Sequence, residues 1–435
     1  MVIPTAAVAA AMTSTKKSFT TKVLSALSMQ VEFASIDDGA FTTKGPAECL
    51  EESKRELRAN NCVAMPTETV YGLAANALDP RAVQSIYQAK QRPSDNPLIV
   101  HVSSIRMLRA LYHVEAGTMP FLGTDNAALE GADLANRLRS AEVRDRASGG
   151  DGVWPEIPRV YHEVIRRFWP GPLTIVLPRP RCIPMEVLGG HGSTVAFRFP
   201  SHPVARAIIA ASGLPVAAPS ANASGRPSPT LAQHVLNDLD GRLPLIIDSG
   251  PCDVGVESTV LDAYSDAAVV SGALSPCILR PGGVTLEELQ ALGGVWANIR
   301  VYRRDFSSAE MEMHPTTPGM KYRHYSPTAP VYVVQASGEE STSAQERLQG
   351  LVAQLRAANK KVGAVVVGSD GAGLGASGAI VHRVGDAKAL AHGIFACLRA
   401  LDEARVDAIV VQGVSETNEG MAVMNRINKA ASHHV

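Results

Sequence analysis

A stiff polar segment that runs directly into an apolar strand constrains the fold of this chain more than any other feature. Lys90 and Arg92 precede Pro93 and Pro97, and the largely apolar residues 98–102 follow at once. The prolines fix φ and remove backbone donors, so the connection between the preceding helix and this strand has one shape. A buried strand would hold the two cations at the edge of a rigid sheet. The sequence therefore predicts an anion-binding loop that is held in place by a folded core.

Apolar strands alternate with helical segments along most of the chain, which predicts an α/β fold. Two predicted strands, 62–65 and 214–217, run into polar segments at 66–72 and 219–228 that are rich in Pro, Ser, Thr, Asn and Gly. Ligands bind at the carboxyl ends of strands in open α/β sheets. We therefore expect these two strand ends to contribute to a ligand cleft.

The length of 435 residues exceeds one ordinary core and predicts two domains. The expected division is a flexible N-terminal extension (1–44), a larger α/β domain (45–295), a linker or lid (296–330) and a small C-terminal α/β domain (331–435). The larger domain carries a glycine-rich insertion at about 112–158, with a short helix predicted near 133–141. Two tyrosines, a histidine and two cations close together in the linker indicate a segment that lies on another surface.

The composition excludes several classes of protein. A net charge of −1 and an aromatic content of 5% argue against a protein that binds nucleic acid through a global basic field or a stacking platform. The six scattered cysteines fit reduced thiols in an intracellular protein, and no apolar run is long enough to span a membrane. The first thirty residues hold three lysines, no arginine and no acidic residue. That composition fits either a mitochondrial targeting segment or a disordered tail.

Several polar residues have both a functional and a structural interpretation. Lys90 and Arg92 could simply stabilise a helix end, but five further polar residues at strand ends or on strands favour convergence on one anion-binding cleft: Thr194, Arg198, Ser220, Asn222 and Arg280. Glu68 is either a general base or a buried structural carboxylate, and His101 is either a site residue or a satisfied core histidine. The glycines at 373, 375 and 378 match a dinucleotide-binding spacing, but a strand rather than a helix follows them, which favours a simple glycine-rich loop. No Ser-His-Asp set and no metal-ligand spacing is present.

The ordered motifs of the chain resemble one family, the threonylcarbamoyl-AMP synthases, in their long two-domain form. The motifs that carry this resemblance are Pro66-Thr67-Glu68-Thr69-Val70-Tyr71-Gly72, Lys90-x-Arg92, Asn96-Pro97-Leu98-Ile99-Val100-His101, Trp169-Pro170-Gly171-Pro172-Leu173-Thr174, Pro219-Ser220-Ala221-Asn222, Val256-Glu257-Ser258-Thr259, the linker run 318–327 and the terminal Val423-Met424-Asn425-Arg426. The resemblance extends from about residue 47 to the C-terminus, apart from the insertion.

The resemblance implies a YrdC-like twisted, open mixed sheet with a concave pocket, followed by a small Rossmann-like α/β domain. It implies a nucleotidyltransferase that converts L-threonine, bicarbonate and ATP to threonylcarbamoyl-AMP and pyrophosphate, with Mg²⁺ accompanying ATP. The product would pass to a separate tRNA threonylcarbamoyl transferase complex that modifies the adenosine beside the anticodon. The resemblance implies a cytoplasmic enzyme, and a mitochondrial location is the alternative. It also implies weak or no direct binding to tRNA and no contact with membranes.

The resemblance also implies roles for thirteen residues of this sequence. The phosphate-binding and catalytic residues would be Lys90, Arg92, Ser220 and Asn222. Further ATP contacts would come from Asn96, Thr194, Ser228, Arg280 and Tyr325, the last closing over the nucleotide from the linker. Threonine would be held by Thr69, His101, Arg198 and Ser258. No protein-bound metal is implied. Displacement at the α-phosphorus needs mainly positioning and charge neutralisation, so the lack of a covalent nucleophile is expected.

Two other functions remain as alternatives. A carbamoyl-transfer enzyme of the hydrogenase-maturation kind shares the fold, but it carries zinc-finger cysteine pairs that this sequence lacks. A non-catalytic module that binds double-stranded RNA or tRNA is opposed by the near-neutral charge. ATP consumption that depends on both threonine and bicarbonate separates the three.

Overall fold

The computed structural model describes residues 18–35, 37, 39–113, 154, 156–265, 268–270, 273–303, 305, 324–335, 343–368, 374–375 and 378–435. Most of the predicted insertion, with its short helix, lies outside these residues. The same holds for residues 1–17, much of the linker and Gly373 of the glycine-rich loop. We call residues 18–303 the N-terminal unit and residues 331–435 the C-terminal unit; residues 324–330 are the described end of the linker.

The N-terminal unit is built on a large mixed sheet. Its strands are β1 (Lys22–Ser25), β2 (Gln30–Phe33), β3 (Phe41–Lys44), β4 (Val63–Met65), β5 (Gly72–Asn76), β6 (Ile99–His101), β7 (Leu173–Pro178), β8 (Thr194–Arg198), β9 (Val216–Ala217), β10 (Leu245–Asp248), β11 (Thr259–Asp262), β12 (Val269–Val270), β13 (Ala273–Leu274), β14 (Cys277–Arg280) and β15 (Arg300–Val301). Eleven strands among the described residues join in the order β1-β10-β4-β5-β9-β6-β8-β7-β11-β14-β15, while β2 pairs with β3 and β12 pairs with β13.

Helices cover this sheet: α1 (Glu48–Arg58), α2 (Pro80–Lys90), α3 (Ile105–His113), α4 (Val160–Phe168), α5 (Pro203–Ser212), α6 (Ala232–Leu239) and α7 (Leu286–Gln290). All residues of β4, β5, β6 and β9 are buried, as expected for strands whose two faces are both covered. The hydrophobic core therefore lies around the centre of the sheet and fixes the positions of these strands.

Helix α2 shows how local chemistry places a functional side chain. Asp79 caps its start by accepting a hydrogen bond from the backbone N–H of Arg81 at 2.7 Å, and Pro80 occupies the first turn. Gln91, with φ of 53°, ends the helix in the left-handed conformation. The helix thus stops directly after Lys90, and the chain turns sharply into the proline-bounded segment.

Part of the predicted flexible extension is folded, and the prediction missed it. Strand β1 pairs in parallel with β10, with Lys22 opposite Leu245. In the β2–β3 hairpin, the rings of Phe33 and Phe41 lie 5.5 Å apart, and the guanidinium of Arg206 lies 3.6 Å from the Phe33 ring centre. Four-residue strands have too short a pattern to recognise, and the partner of β1 lies about two hundred positions away.

The C-terminal unit is a five-stranded parallel sheet in the order β18-β17-β19-β16-β20. Its elements are β16 (Val331–Val334), α8 (Ala344–Ala357), β17 (Val362–Val367), β18 (Ile380–Val384), α9 (Ala387–Glu403), β19 (Ala408–Gln412), α10 (Glu419–Ala430) and β20 (His433–His434). Val70 and Val256 of the N-terminal unit pack into its core. Gly255, with φ of +80°, lies against the backbone of His392, and a Cβ there would overlap it. The two units are therefore in close contact.

Two negative findings concern the described residues. None of the helices seen in them is both long and apolar enough to cross a membrane. All six cysteines lie among them and are buried, and none forms a disulfide.

Candidate functional site

A cleft with about 700 Å³ of empty space, part of it open to solvent, lies where strands of the N-terminal unit end and the linker meets them. Strands β6 and β8 contribute His101 and Arg198, their last residues. The loop after β9, the turn before β11 and the last residue of β14 complete the wall, together with His324 and Tyr325 of the linker. The cavity therefore occupies the carboxyl ends of strands, as the polar strand termini predicted.

Ten of the thirteen predicted site residues line this cavity: Lys90, Arg92, His101, Arg198, Ser220, Asn222, Ser228, Ser258, Arg280 and Tyr325. The other three, Thr69, Asn96 and Thr194, are not among its lining residues. The Thr69 hydroxyl is fully buried against the Thr67 hydroxyl at 2.9 Å. Asn96 is buried beside the cavity, and Thr194 begins strand β8, at the end opposite Arg198.

Lys90 holds the loop that carries Ser220 and Asn222. Its ammonium group donates to the carbonyl oxygens of Ser220 and Asn222, both at 2.5 Å, and to the side-chain oxygen of Asn222 at 3.4 Å. Burial and the neighbouring Arg92 charge lower the pKa of Lys90 well below its usual range. In this structure Lys90 therefore shapes the loop, and an anion in the cavity would favour its charged form.

Arg92 presents a guanidinium to the same cavity. Its Nη2 donates to the carbonyl oxygens of Asn96 and Pro97 at 3.4 and 3.2 Å, while its buried Nε has no hydrogen-bond partner. Burial lowers the pKa of Arg92 to about 10, so the group remains cationic at neutral pH. A buried guanidinium N–H without an acceptor is costly, and an anionic ligand would satisfy it.

Arg198 and His101 form a second polar group on the wall. Nη2 of Arg198 donates to Oε1 of the buried Glu68 at 2.7 Å. Glu68 is thus engaged as a structural carboxylate. Burial opposes its ionisation, but the Arg198 charge and hydrogen bond lower its pKa.

His101 is held in one tautomer by its backbone contact. Its Nδ1 lies 3.1 Å from the carbonyl oxygen of Ile99, which can only accept, so Nδ1 carries the proton and Nε2 is an acceptor. Burial and the Arg198 charge lower the pKa of His101 to about 3. The residue is therefore both a satisfied core histidine and a neutral part of the cavity wall.

Ser258 and Arg280 are fixed to each other on the adjoining wall. Nη2 of Arg280 donates to the Ser258 carbonyl oxygen at 2.9 Å and to its hydroxyl oxygen at 3.2 Å. The Ser258 hydroxyl also lies 2.8 Å from that of Thr174. This side chain is consequently held in one orientation.

Similar proteins identify the family. A family model described as threonylcarbamoyl-AMP synthase, C-terminal domain, matches residues 284–432, and a model described as telomere recombination matches residues 55–122 and 146–282. A threonylcarbamoyl-AMP synthase of Schizosaccharomyces pombe is 44% identical over 396 residues, covering 88% of each protein. The chain belongs to the threonylcarbamoyl-AMP synthase family. This placement confirms the resemblance drawn from the motifs and does not favour the hydrogenase-maturation or RNA-binding alternatives.

Other relatives extend the match over both units. A threonylcarbamoyl-AMP synthase of Bacillus subtilis is 40% identical, and the alignment covers 87% of this chain and 92% of that protein. The crystal structure of Pyrococcus abyssi Sua5 complexed with L-threonine has a TM-score of 0.69 and 36% identity, covering 90% of this chain and 97% of that one. The predicted mixed α/β fold of this synthase family is thereby confirmed.

Glu257 is a cavity residue to which the sequence prediction gave no role, although it stands in the Val256–Thr259 motif. One carboxylate oxygen accepts from the Ser228 hydroxyl at 2.6 Å, and the other accepts from Nε of Arg426 at 3.0 Å. Burial opposes ionisation, but the charges of Arg426 and Arg280 lower the pKa of Glu257 to about 2. Arg426 comes from the C-terminal unit, so that unit holds a side chain of this wall in place without lining the cavity with Arg426 itself.

The linker side chains His324 and Tyr325 close one side of the cavity. Tyr325, with φ of 64°, packs its ring 5.2 Å from that of Phe395 in the C-terminal unit. The backbone N–H of Ser326 donates to the Gly225 carbonyl oxygen at 2.8 Å. Nε2 of His324 is buried without a hydrogen-bond partner. The linker thus lies on the cavity, where we expected Tyr325 to cover a nucleotide.

The protein should lose stability in mild acid because several of its histidines are buried in the neutral form. Burial is the main cause that lowers the pKa of His101 to about 3 and those of His234 and His324 to about 4. The unfolded chain binds these protons near pH 6.5, so the stabilisation is complete above that value and is lost as pH falls from about 6.5 towards 4. Each histidine contributes up to roughly 1.4 kcal/mol per pH unit in that window.

Denaturant titrations at about pH 7 and about pH 5.5 measure this effect without protonating the native Glu257. The free energy of unfolding should be lower at the acidic value. His234→Gln, whose amide oxygen can replace Nδ1 as acceptor for the Thr230 N–H, should show a shallower dependence. Equal or greater stability at pH 5.5 would contradict the assignment.

Proposed function

We propose that this protein forms threonylcarbamoyl-AMP and pyrophosphate from L-threonine, bicarbonate and ATP. Its relatives over both units are named threonylcarbamoyl-AMP synthase. The observation that carries the proposal is the charge of the cavity. Among the described residues, five basic side chains line it, Lys90, Arg92, Arg198, Arg226 and Arg280, against one carboxylate, that of Glu257; Arg198 and Arg226 are also paired with Glu68 and Asp402 outside the lining. A cavity lined by these basic side chains suits a triphosphate together with a small carboxylate.

The reaction divides between two groups of residues. Arg92, Arg280 and the loop with Ser220 and Asn222 would bind the phosphates and neutralise the charge that develops on them. Arg198, oriented by Glu68, would pair with the threonine carboxylate. The lone pair on Nε2 of His101 would accept from the amino or hydroxyl group of threonine.

The chemistry then follows from positioning. The threonine nitrogen adds to the carbon of bicarbonate with loss of water, giving a carbamate. A carbamate oxygen attacks the α-phosphorus of ATP, a new P–O bond forms, and the bond to the departing pyrophosphate breaks. No covalent nucleophile is needed, because holding both reactants in one orientation lowers the barrier. Thr69, Asn96 and Thr194 would act from behind the wall or through their backbone.

The cavity residues do not fit a protein-held Mg²⁺. The described residues contain no group of three or more His, Cys, Asp or Glu side chains placed to ligate a metal ion. The carboxylate of Glu257 is already engaged by Ser228 and Arg426. The Mg²⁺ expected for this reaction would be carried by the ATP phosphates, and we derive no step through it.

The product would serve threonylcarbamoyladenosine synthesis beside the tRNA anticodon, with transfer performed by a separate complex. A net charge of −1 gives this chain no global basic field, which supports weak or no direct tRNA contact. We propose a cytoplasmic location, with a mitochondrial form as the alternative that the lysine-bearing N-terminus leaves open.

Omitting one substrate at a time tests the proposal. Purified protein incubated with ATP, threonine and bicarbonate should yield pyrophosphate and a product with the mass of threonylcarbamoyl-AMP. Without threonine or without bicarbonate, neither should form above background. A rate of pyrophosphate release that did not change when threonine was removed would overturn the proposed function.

A further inference from the structure

We propose that Arg399 of the C-terminal unit is a positioning residue for the loop of residues 220–228, which we call the serine–asparagine loop. This inference rests on the proposed function, because three residues of the loop, Ser220, Asn222 and Ser228, are proposed there to contact ATP. Arg399 lies on helix α9 and does not line the cavity. It would act on ATP only through the loop.

Arg399 reaches the loop along two routes. Its Nη2 donates to the carbonyl oxygen of Pro227 at 2.5 Å, directly before Ser228. Its Nη1 and Nη2 also donate to the two carboxylate oxygens of Asp238 at 3.2 and 2.8 Å. Asp238 in turn accepts from the backbone N–H of Ala223 at 3.2 Å, directly after Asn222. The guanidinium therefore ties both ends of residues 223–227 to helix α6.

The clamp is buried, which makes its loss costly. The side chains of Arg399 and Asp238 are 3% and 1% exposed. Without Arg399, the ion pair left to the Asp238 carboxylate among the described residues is that with Arg226, which is 43% exposed and 3.5 Å away. Lys90 also interacts with this carboxylate electrostatically, but its ammonium group is bonded to loop carbonyls. The Pro227 carbonyl would lose a short hydrogen bond as well. Both losses loosen the loop rather than remove a contact to substrate.

The other ties of the loop do not replace this clamp. Lys90 holds the carbonyl oxygens of Ser220 and Asn222, and the Asn222 amide donates to the carbonyl oxygens of Ala223 and Arg226. These bonds fix the first half of the loop and its internal turn. The second half has further contacts, from the Ser326 N–H to the Gly225 carbonyl and from the Ser228 hydroxyl to Glu257, and the half-exposed Arg226 pairs with Asp402. Arg399 is the side chain that holds the Pro227 carbonyl and links it to Asp238 of helix α6.

The threonine side of the cavity is held independently. Arg198 is bonded to Glu68, and Ser258 to Thr174 and Arg280. None of these contacts passes through the serine–asparagine loop or Arg399. Loss of the clamp should therefore weaken nucleotide binding selectively. By linkage, a bound nucleotide that orders the loop should also strengthen the contact between the two units.

Direct binding measurements on the full chain test the inference. The probes are α,β-methylene-ATP for the nucleotide side and L-threonine for the other, both by calorimetry. Arg399→Met should weaken the affinity for the analogue about ten- to a hundredfold, with threonine affinity within about twofold of wild type. Arg399→Lys should lie between, because one ammonium cannot span both acceptors in the guanidinium geometry.

Two further variants complete the design. Asp238→Asn should also weaken analogue binding, and combining it with Arg399→Met should add little, because the two residues form one clamp. Glu403→Ala is the matched control. Glu403 lies on the same helix as Arg399 and accepts an exposed hydrogen bond at 3.1 Å from the side-chain amide of Asn237, the neighbour of Asp238. Its removal should leave both affinities unchanged.

Either of two results would overturn the inference. One is analogue affinity within twofold of wild type in folded Arg399→Met and Asp238→Asn. The other is an equal loss of affinity for the analogue and for threonine. If Arg399→Met does not fold, Arg399→Lys and Asp238→Asn decide by the same criterion. If the wild-type protein binds the analogue but forms no threonylcarbamoyl-AMP, the proposed function is refuted. The role of Arg399 in nucleotide binding can still be decided from the affinities of the variants.

Discussion

Arg92→Ala should lower the rate of threonylcarbamoyl-AMP formation by about 10²- to 10³-fold or more while the protein still folds. Arg92 lines the cavity with a charged guanidinium whose buried Nε has no partner. Its contacts within the protein are two long hydrogen bonds to backbone carbonyls, at 3.4 and 3.2 Å. The side chain thus contributes little to the core, and its charge is what the transferring phosphates would meet.

Product formation measured by mass spectrometry, with circular dichroism to monitor folding, gives the comparison. Arg81→Ala is the control, because Arg81 lies on helix α2, which ends just before Arg92, and its side chain is 73% exposed; this variant should retain wild-type rates. A rate within tenfold of wild type, or a protein that fails to fold, would show that Arg92 is not a phosphate-binding cation.

Arg426→Ala should destabilise the protein by roughly 3–5 kcal/mol, the cost of removing one partner of a buried ion pair. The Arg426 side chain is 0% exposed and pairs with Glu257, which is 9% exposed. It also donates to the carbonyl oxygen of Pro281 in the N-terminal unit and to that of Ala422 at 3.3 Å. Burial opposes the ionisation of Glu257, and the Arg426 charge is the main cause that lowers its pKa, so removing Arg426 leaves a buried carboxylate without its ion-pair partner.

The loss should be visible in the first unfolding transition in guanidinium, followed by circular dichroism. Because the chain has two units, that transition rather than a single global midpoint is the quantity to compare. Asn428→Ala, an exposed position on the same helix, should shift it by no more than about 0.5 kcal/mol. A shift for Arg426→Ala as small as that of the control would mean that the pair does not join the units.

The two predictions probe different levels of organisation. Arg92 belongs to a contiguous motif, and its role was predicted before its surroundings were known. Arg426 stands 169 positions from Glu257, and its motif alone says nothing about where its guanidinium lies. Likewise, neither Arg399 nor Asp238 carries a sequence signal that pairs them.

Local sequence patterns were sufficient to predict most of the helices and strands that surround the cavity. Asp79 and Pro80 start a helix that ends at Lys90, and apolar runs that stop at Thr67 and at Ser220 place polar residues at strand ends. These features depend on neighbouring residues, through backbone restriction, capping and side-chain alternation, so the sequence could predict them. It could not predict the short strand β1, whose stability comes from pairing with β10.

The amino-acid sequence by itself determined most of the strands and helices, the family and most of the polar residues available to the cavity. The tertiary structure alone decided how those residues are used. Lys90 holds loop carbonyls, Glu68 orients Arg198, and two buried arginines of the C-terminal unit hold the wall of a cavity formed mainly by the N-terminal unit. The reason is physical: buried charges persist only where distant segments bring partners to them, and that proximity is created by the packing of the whole chain.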